Sequence, residues 1–169
     1  MDRGMVKTMG KTEDIINLYL ESYSKSTTTL ELGKNSGKPL YFKKVSITNA
    51  KGEPCNNFFY DEPIYFNFDI GVNDPNYKCD LFVTLLDAKK RSVFSCEYSH
   101  IRSSVTLKLD PKQLVRGSYS IDMFIQIPWV TRIDMAEDIC SFTVIDNGSE
   151  FVKHGTHDYG VVFGKHSWE

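Results

Sequence analysis

The stretch Leu114 to Val130 constrains the fold of this chain more than any other. Within it, Tyr119, Ile121, Met123, Ile125 and Ile127 share one parity, while Ser120, Asp122, Phe124 and Gln126 share the other. Period two is the signature of a strand with one buried face. Arg116-Gly117 reads as the turn before it, and Pro128 removes a ladder donor and ends it. A buried strand face needs an opposing sheet, so this strand implies a sandwich. The other face carries Phe124 between Asp122 and Gln126, an aromatic ring among hydrogen-bonding groups. Single exposed apolar residues are common. An edge aromatic covered by a loop and a binding face are therefore both open explanations.

The same alternation recurs along the chain. Leu40 to Thr48 places Val45 and Ile47 on one parity. Ile64, Phe66, Phe68, Ile70 and Val72 alternate with Tyr65, Asn67 and Asp69. Cys79, Leu81, Val83 and Leu85 alternate with Asp80, Phe82 and Thr84. Ser92 to Tyr98, Ile101 to Leu109 and Ile139 to Ile145 complete the series, with turns at Asn49-Ala50-Lys51-Gly52, Asp87-Ala88-Lys89-Lys90 and Asp110-Pro111. Short alternating strands joined by such turns predict an all-β, immunoglobulin-like antiparallel β-sandwich. A single helical stripe precedes it. Thr12 is a fitting N-cap, and Ile15, Ile16, Tyr19, Leu20 and Tyr23 recur at helical spacing, which predicts a short N-terminal helix. Ser24 to Lys38 is rich in Ser, Thr, Gly and Lys without a sustained period and reads as a linker. The expected organisation is a strand-turn-helix unit over residues 1–24, a linker over 25–38 and the sandwich over 39–169.

Several chemistries are disfavoured by the residues themselves. Twenty Lys and Arg stand against 22 Asp and Glu, and no basic stripe is present, so no nucleic-acid partner is expected. The chain has no apolar run of transmembrane length and no signal-peptide pattern, which makes it a soluble, cytoplasmic expectation. Cys55, Cys79, Cys96 and Cys140 lack CxxC spacing, so they read as reduced thiols, with Cys79 and Cys140 in the core. His154, His157, Asp158 and His166, even with His100, lack metal-ligand spacing; no metal or cofactor is expected. The segment Gly33 to Pro39 misses the phosphate-loop pattern by one residue and puts proline where the magnesium-binding hydroxyl belongs. No serine or cysteine has a recognisable base beside it, so the chain is not expected to be an enzyme.

Three stretches resemble a known family. Asp2 to Glu21, with Gly4 and Gly10 ahead of Ile15-Ile16 and Tyr19-Leu20, is similar to the last strand, turn and helix of an ABC ATPase domain. Leu114 to Ser120 resembles the L-x-x-G-x-Y approach to a central strand, and Ser141 to Trp168 resembles a final F-x-V strand with a Gly-rich tail ending in tryptophan. Together they resemble the C-terminal carbohydrate-binding domain of the ATP-binding subunit of polysaccharide ABC exporters, the Wzt type that exports O-antigen. The resemblance implies a non-catalytic domain that recognises the growing end of an O-antigen-type glycan and commits it to export. It also implies a polysaccharide ligand, its own ABC ATPase domain and a membrane permease subunit as partners, a homodimer, and a place at the inner face of the cell membrane. Walker and signature motifs are absent, so the stretch present would not hydrolyse ATP.

A sugar-binding surface needs an aromatic plane and a set of amide, carboxylate and hydroxyl groups. The outward parity of three strands supplies Asp80, Phe82, Thr84, Asp122, Phe124, Gln126, Ser141 and Thr143. Carbohydrate is expected on Phe82, Thr84, Asp122, Phe124 and Gln126, with Phe124 as the stacking plane and Trp129 at the border. The competing reading is a structural domain that dimerises an exporter ATPase, because exposed aromatic patches also mark protein interfaces. A second face, Tyr65, Asn67 and Asp69 with Arg102, Ser104 and Thr106, reads more simply as solvated surface.

Overall fold

The computed structural model describes residues 28–35, 37–155 and 157–164. The expected N-terminal helix, residues 1–24, His166 and Trp168 lie outside the described residues. Nine strands follow in order: β1 (Thr29–Glu31), β2 (Leu40–Thr48), β3 (Asn57–Phe59), β4 (Ile64–Val72), β5 (Asp80–Asp87), β6 (Ser92–Tyr98), β7 (Ser104–Leu109), β8 (Gly117–Ile127) and β9 (Thr131–Ile145). They form a four-stranded sheet, β1-β2-β4-β7, and a five-stranded sheet, β3-β9-β8-β5-β6. Every pairing is antiparallel except β3 with β9. The chain is the all-β sandwich that its alternation predicts. β1 falls in the stretch read as linker: Thr29, Leu30 and Glu31 pair with Ser46, Val45 and Lys44. Three residues are too few to display a period, so the pairing partner, not the local pattern, makes this a strand.

The alternating apolar residues meet between the sheets. Val45, Ile47, Phe66, Phe68 and Ile70 face Leu81, Val83, Leu85, Ile121, Met123 and Ile125, all buried in one cluster. Phe142 of β9 sits among three rings, with centroids 6.0 Å from Phe58, 5.7 Å from Phe66 and 5.6 Å from Tyr119. The Tyr119 hydroxyl donates to the Val115 carbonyl at 2.6 Å and also lies 3.1 Å from the Val161 carbonyl. A tyrosine bonded to backbone a few residues upstream clamps the corner of a Greek-key sandwich. Here that clamp explains the L-x-x-G-x-Y pattern: Leu114 is buried, and Tyr119 holds the turn shut. Burial, then the nearby Asp87 carboxylate, push the Tyr119 phenol up to about 12.

The corner also anchors the tail. Val115 N–H donates to Val161 O at 3.2 Å, Phe163 N–H to Gln113 O at 2.9 Å, and Leu114 bridges Val162. Residues 161–163 thus lie on their own sandwich. In the other sheet, Tyr41 stands directly across from Gly71 and is itself buried. Any Cβ at Gly71 would come well inside van der Waals contact with the Tyr41 ring atoms. Glycine is required at this position because an aromatic ring occupies the volume of its missing side chain.

β9 runs 15 residues against the 11 of β8. Bulges absorb the difference, at Tyr119/Ile121, Ile121/Met123 and Ile125/Gln126 of the partner strand. Asp138 and Cys140 take left-handed backbone there, with φ of 53° and 51°. The early half of β9 crosses towards β2, where Asp134 accepts from Phe42 N–H at 2.8 Å and from Lys38 Nζ at 2.7 Å. One carboxylate therefore ties the two sheets together beside the irregularity in β2 at Phe42/Lys44.

Candidate functional site

The outer face of the five-stranded sheet collects the side chains that alternate with its core residues. Across β5 and β8, Asp80 stands opposite Gln126, Phe82 opposite Phe124 and Thr84 opposite Asp122. β9 adds Met135 beside Phe124 and Arg132 beside Gln126. β6 adds Glu97 beside Phe82 and Ser95 beside Thr84. The structure brings six of the expected residues onto one surface. Ser141 and Thr143 are not among them. Thr143 pairs with Ser118, six positions along β8 from Phe124 and about 20 Å away at the usual strand rise.

The two phenylalanines stack on each other, with centroids 4.8 Å apart and planes 17° apart. The Arg132 guanidinium carbon lies 4.4 Å from the Phe124 centroid. Because β8 lies between β5 and β9, these neighbours approach Phe124 from opposite sides. Both of its faces are covered. Phe124 therefore does not offer the open stacking plane expected of it; with Phe82 it forms an apolar ridge capped by a cation. Arg132 was not legible in advance, since its position depends on the bulges that set the β9 register.

Polar groups border the ridge. Thr84 Oγ1 and Ser95 Oγ are 2.9 Å apart, and Gln126 Nε2 reaches towards Glu97 Oε1 at 3.4 Å. Asp122 Oδ1 accepts from the Asp138 amide at 2.8 Å. Lys90 pairs with Asp138 and reaches Ser120 Oγ at 3.2 Å. Hydrogen bonds from Lys90, and then from Ser120, hold the Asp138 carboxyl below its ordinary range. Past Gln126 the strand ends in a turn closed by Val130 N–H on Ile127 O at 3.0 Å. Trp129 sits at its tip, fully exposed at 104% and with φ of 64°. Beside it opens a cleft of 500 Å³ lined by Tyr77, Lys78, Cys79, Asp80, Ser99, His100, Ile101 and Pro128. Asp80 belongs to both the cleft and the face.

No protein-family model matches the sequence, and no curated protein matches it. Among solved structures, the C-terminal domain of Wzt superposes with a TM-score of 0.58 at 13% identity, covering 83% of this chain and 86% of that one. This chain has the fold of the Wzt C-terminal domain. A β-glucuronidase from Parabacteroides merdae overlaps 63% of this chain with 14% of its own, at a TM-score of 0.42 and 13% identity. The Bifidobacterium dentium enzyme, complexed with coumarin-3-O-glucuronide, overlaps 63% with 18% of its own, at 0.39 and 14% identity. Those two overlaps are too poor to bear on this chain.

A sandwich with the Wzt fold has a second outer face, and here it is built differently. Tyr65, Asn67 and Asp69 stand opposite Lys108, Thr106 and Ser104, while Arg102 lies in the loop before β7. Asn67 donates to Thr48 Oγ1 and accepts from Thr106 Oγ1, each at 3.0 Å. No group of three metal-binding side chains occurs among the described residues. His154 and His157 instead pack against Tyr159, at 5.7 and 4.9 Å between centroids. The four cysteines are free; Cys79 and Cys140 are buried, and burial pushes the Cys140 thiol up to about 12. Among the described residues, no helix is long and apolar enough to cross a membrane.

Proposed function

We propose that this chain is the non-catalytic carbohydrate-binding domain of a polysaccharide ABC exporter ATPase, recognising the growing end of an O-antigen-type glycan to commit it to export. The observation that carries this reading is the outer face of β5 and β8, where carboxylate, amide and hydroxyl groups flank an apolar ridge on a Wzt-type sandwich. Asp122 and Gln126 accept and donate to ring hydroxyls, and Thr84 supplies a further hydroxyl. Phe82 and Phe124 form the floor under pyranose C–H groups, and Trp129 provides an exposed indole at the margin. Residues 1–24 belong to the end of the ATPase domain and 25–38 lead into the sandwich. The partners are that ATPase domain, a permease subunit and a second copy of the chain, at the inner face of the cell membrane.

The test is retention of bacterial polysaccharides by the full chain on a glycan array, followed by calorimetry with the retained oligosaccharide. Affinity between micromolar and millimolar is expected, about −8 to −4 kcal/mol, with the glycan recovered uncleaved. Asp122→Ala and Gln126→Ala should each weaken it at least tenfold with oligomeric state unchanged. If no glycan is retained, and these variants turn a dimer into a monomer, the domain is a structural dimerisation unit.

A further inference from the structure

Stacking a sugar requires an aromatic face that nothing else covers. On the face of β5 and β8 the two phenylalanines cover each other, and Arg132 covers the far side of Phe124. Open aromatic surface occurs instead at the end of the sheet, where β5 begins and β8 runs out. Tyr77 is 46% exposed there, and Trp129 is wholly so. Tyr77 lines the 500 Å³ cleft there, as does Pro128, the chain neighbour of Trp129; the volume is within the range of cavities that seat small ligands. Its polar lining is the Lys78 ammonium, the Asp80 carboxylate, the Ser99 hydroxyl and the His100 imidazole. His100 is held edge-on against Tyr98, 6.0 Å between centroids. The cleft floor is apolar, formed by the buried Cys79 and half-buried Ile101.

Resting on the glycan-binding reading, we propose that this cleft is the seat for the terminal residue of the chain, and that this residue is an uncharged pyranose. Tyr77 and Trp129 supply the stacking planes, and Asp80 and Lys78 engage neighbouring ring hydroxyls. Asp80 faces Gln126 across the β5–β8 pair, so a glycan lying along the ridge passes directly into the cleft. Charge selects against acidic polymers. Asp80, Asp122 and Glu97 line this path against the Arg132 guanidinium and the Lys78 ammonium, which leaves the carboxylates in excess by one. A uronate or phosphate on each repeat would meet an excess of like charge at short range.

The experiment uses the full chain carrying Trp168→Phe. With two tryptophans in the sequence, this leaves Trp129 as the sole indole reporter. An array of neutral and of uronate- or phosphate-bearing bacterial polysaccharides is probed first, and an oligosaccharide of the best hit is then titrated while Trp129 emission is followed. Neutral glycans should be retained, and Trp129 emission should change on binding. Tyr77→Ala and Asp80→Asn should each weaken binding at least tenfold with the thermal midpoint unchanged, because both side chains lie at the surface. Preferential retention of acidic glycans overturns the assigned sugar class. Binding within twofold of the parent in both variants, with Asp122→Ala still defective, overturns the cleft and leaves the sugar on the ridge. Failure to retain any glycan overturns the functional reading itself, and the cleft assignment with it.

Discussion

The two halves of β9 belong to one strand and behave as two. From Ile139 to Ile145 burial alternates despite the bulge opposite Tyr119/Ile121, and Cys140, Phe142 and Val144 are driven into the core. From Thr131 to Asp138 the bulges break the alternation, no residue is fully buried, and the side chains that emerge are Arg132, Asp134, Met135 and Asp138. Bulges re-aim side chains and increase local twist. The regular half fills the core, while the irregular half ties across to the other sheet through Asp134 and carries polar groups to the candidate site. Within a single strand, the kept period sends side chains fully into the core, and its loss leaves them part-buried or at the surface.

Substitutions along β9 should reproduce that separation. The largest effect is expected in the regular half: Phe142→Ala removes a ring packed on three others and should cost about 3–5 kcal/mol in denaturant unfolding. A loss below about 1 kcal/mol would mean the core collapses around the void and the halves are alike. Asp134→Ala comes next. It leaves the Phe42 amide and Lys38 without their acceptor, and should cost about 1–3 kcal/mol. Arg132→Ala should cost less than about 1 kcal/mol, the usual scale of an exposed cation–ring contact. A loss equal to that of Asp134→Ala would make Arg132 a structural tie of the same weight.

The smallest effect is a pH dependence. The Asp138 carboxyl titrates below its ordinary range because Lys90 and Ser120 bond to the charged form. A depressed folded value gives stability that is present above the unfolded value, near 4, and lost as pH falls through the folded one. Both partners are half exposed, so solvent screening leaves about a few tenths of a kcal/mol. Lys90→Met should remove this from the acid limb of the stability curve and leave the curve above about pH 5 unchanged in shape. A change in slope near neutrality would assign the effect to another group.

Legibility followed the same division. β2, β4 and β6 have the bounds their alternation predicts, because each is paired along nearly its whole length; the bulge of β2 at Phe42/Lys44 switches the buried parity without ending the strand. The meeting of Phe82 and Phe124 also followed from parity once β5 and β8 were neighbours. β1 and β3 were missed because three residues carry no period. The first half of β9 was missed because left-handed residues at Asp138 and Cys140 shift the phase of everything before them. That loss hid Arg132, and with it the covering of Phe124. Glu97 was hidden for another reason: it reaches the site only through the β5–β6 register, which no local pattern specifies.

The interlock of Tyr41 with Gly71 has a consequence for how this domain can change by mutation. A methyl group at position 71 is refused while the ring is there, and shrinking the ring first leaves a hole over a bare backbone. Each single step is harmful, whereas the paired replacement, a side chain at 71 with a smaller residue at 41, restores the filled volume. The two positions form an epistatic unit. A random library that varies them one at a time will find both immutable, and one that varies them together will find a second solution.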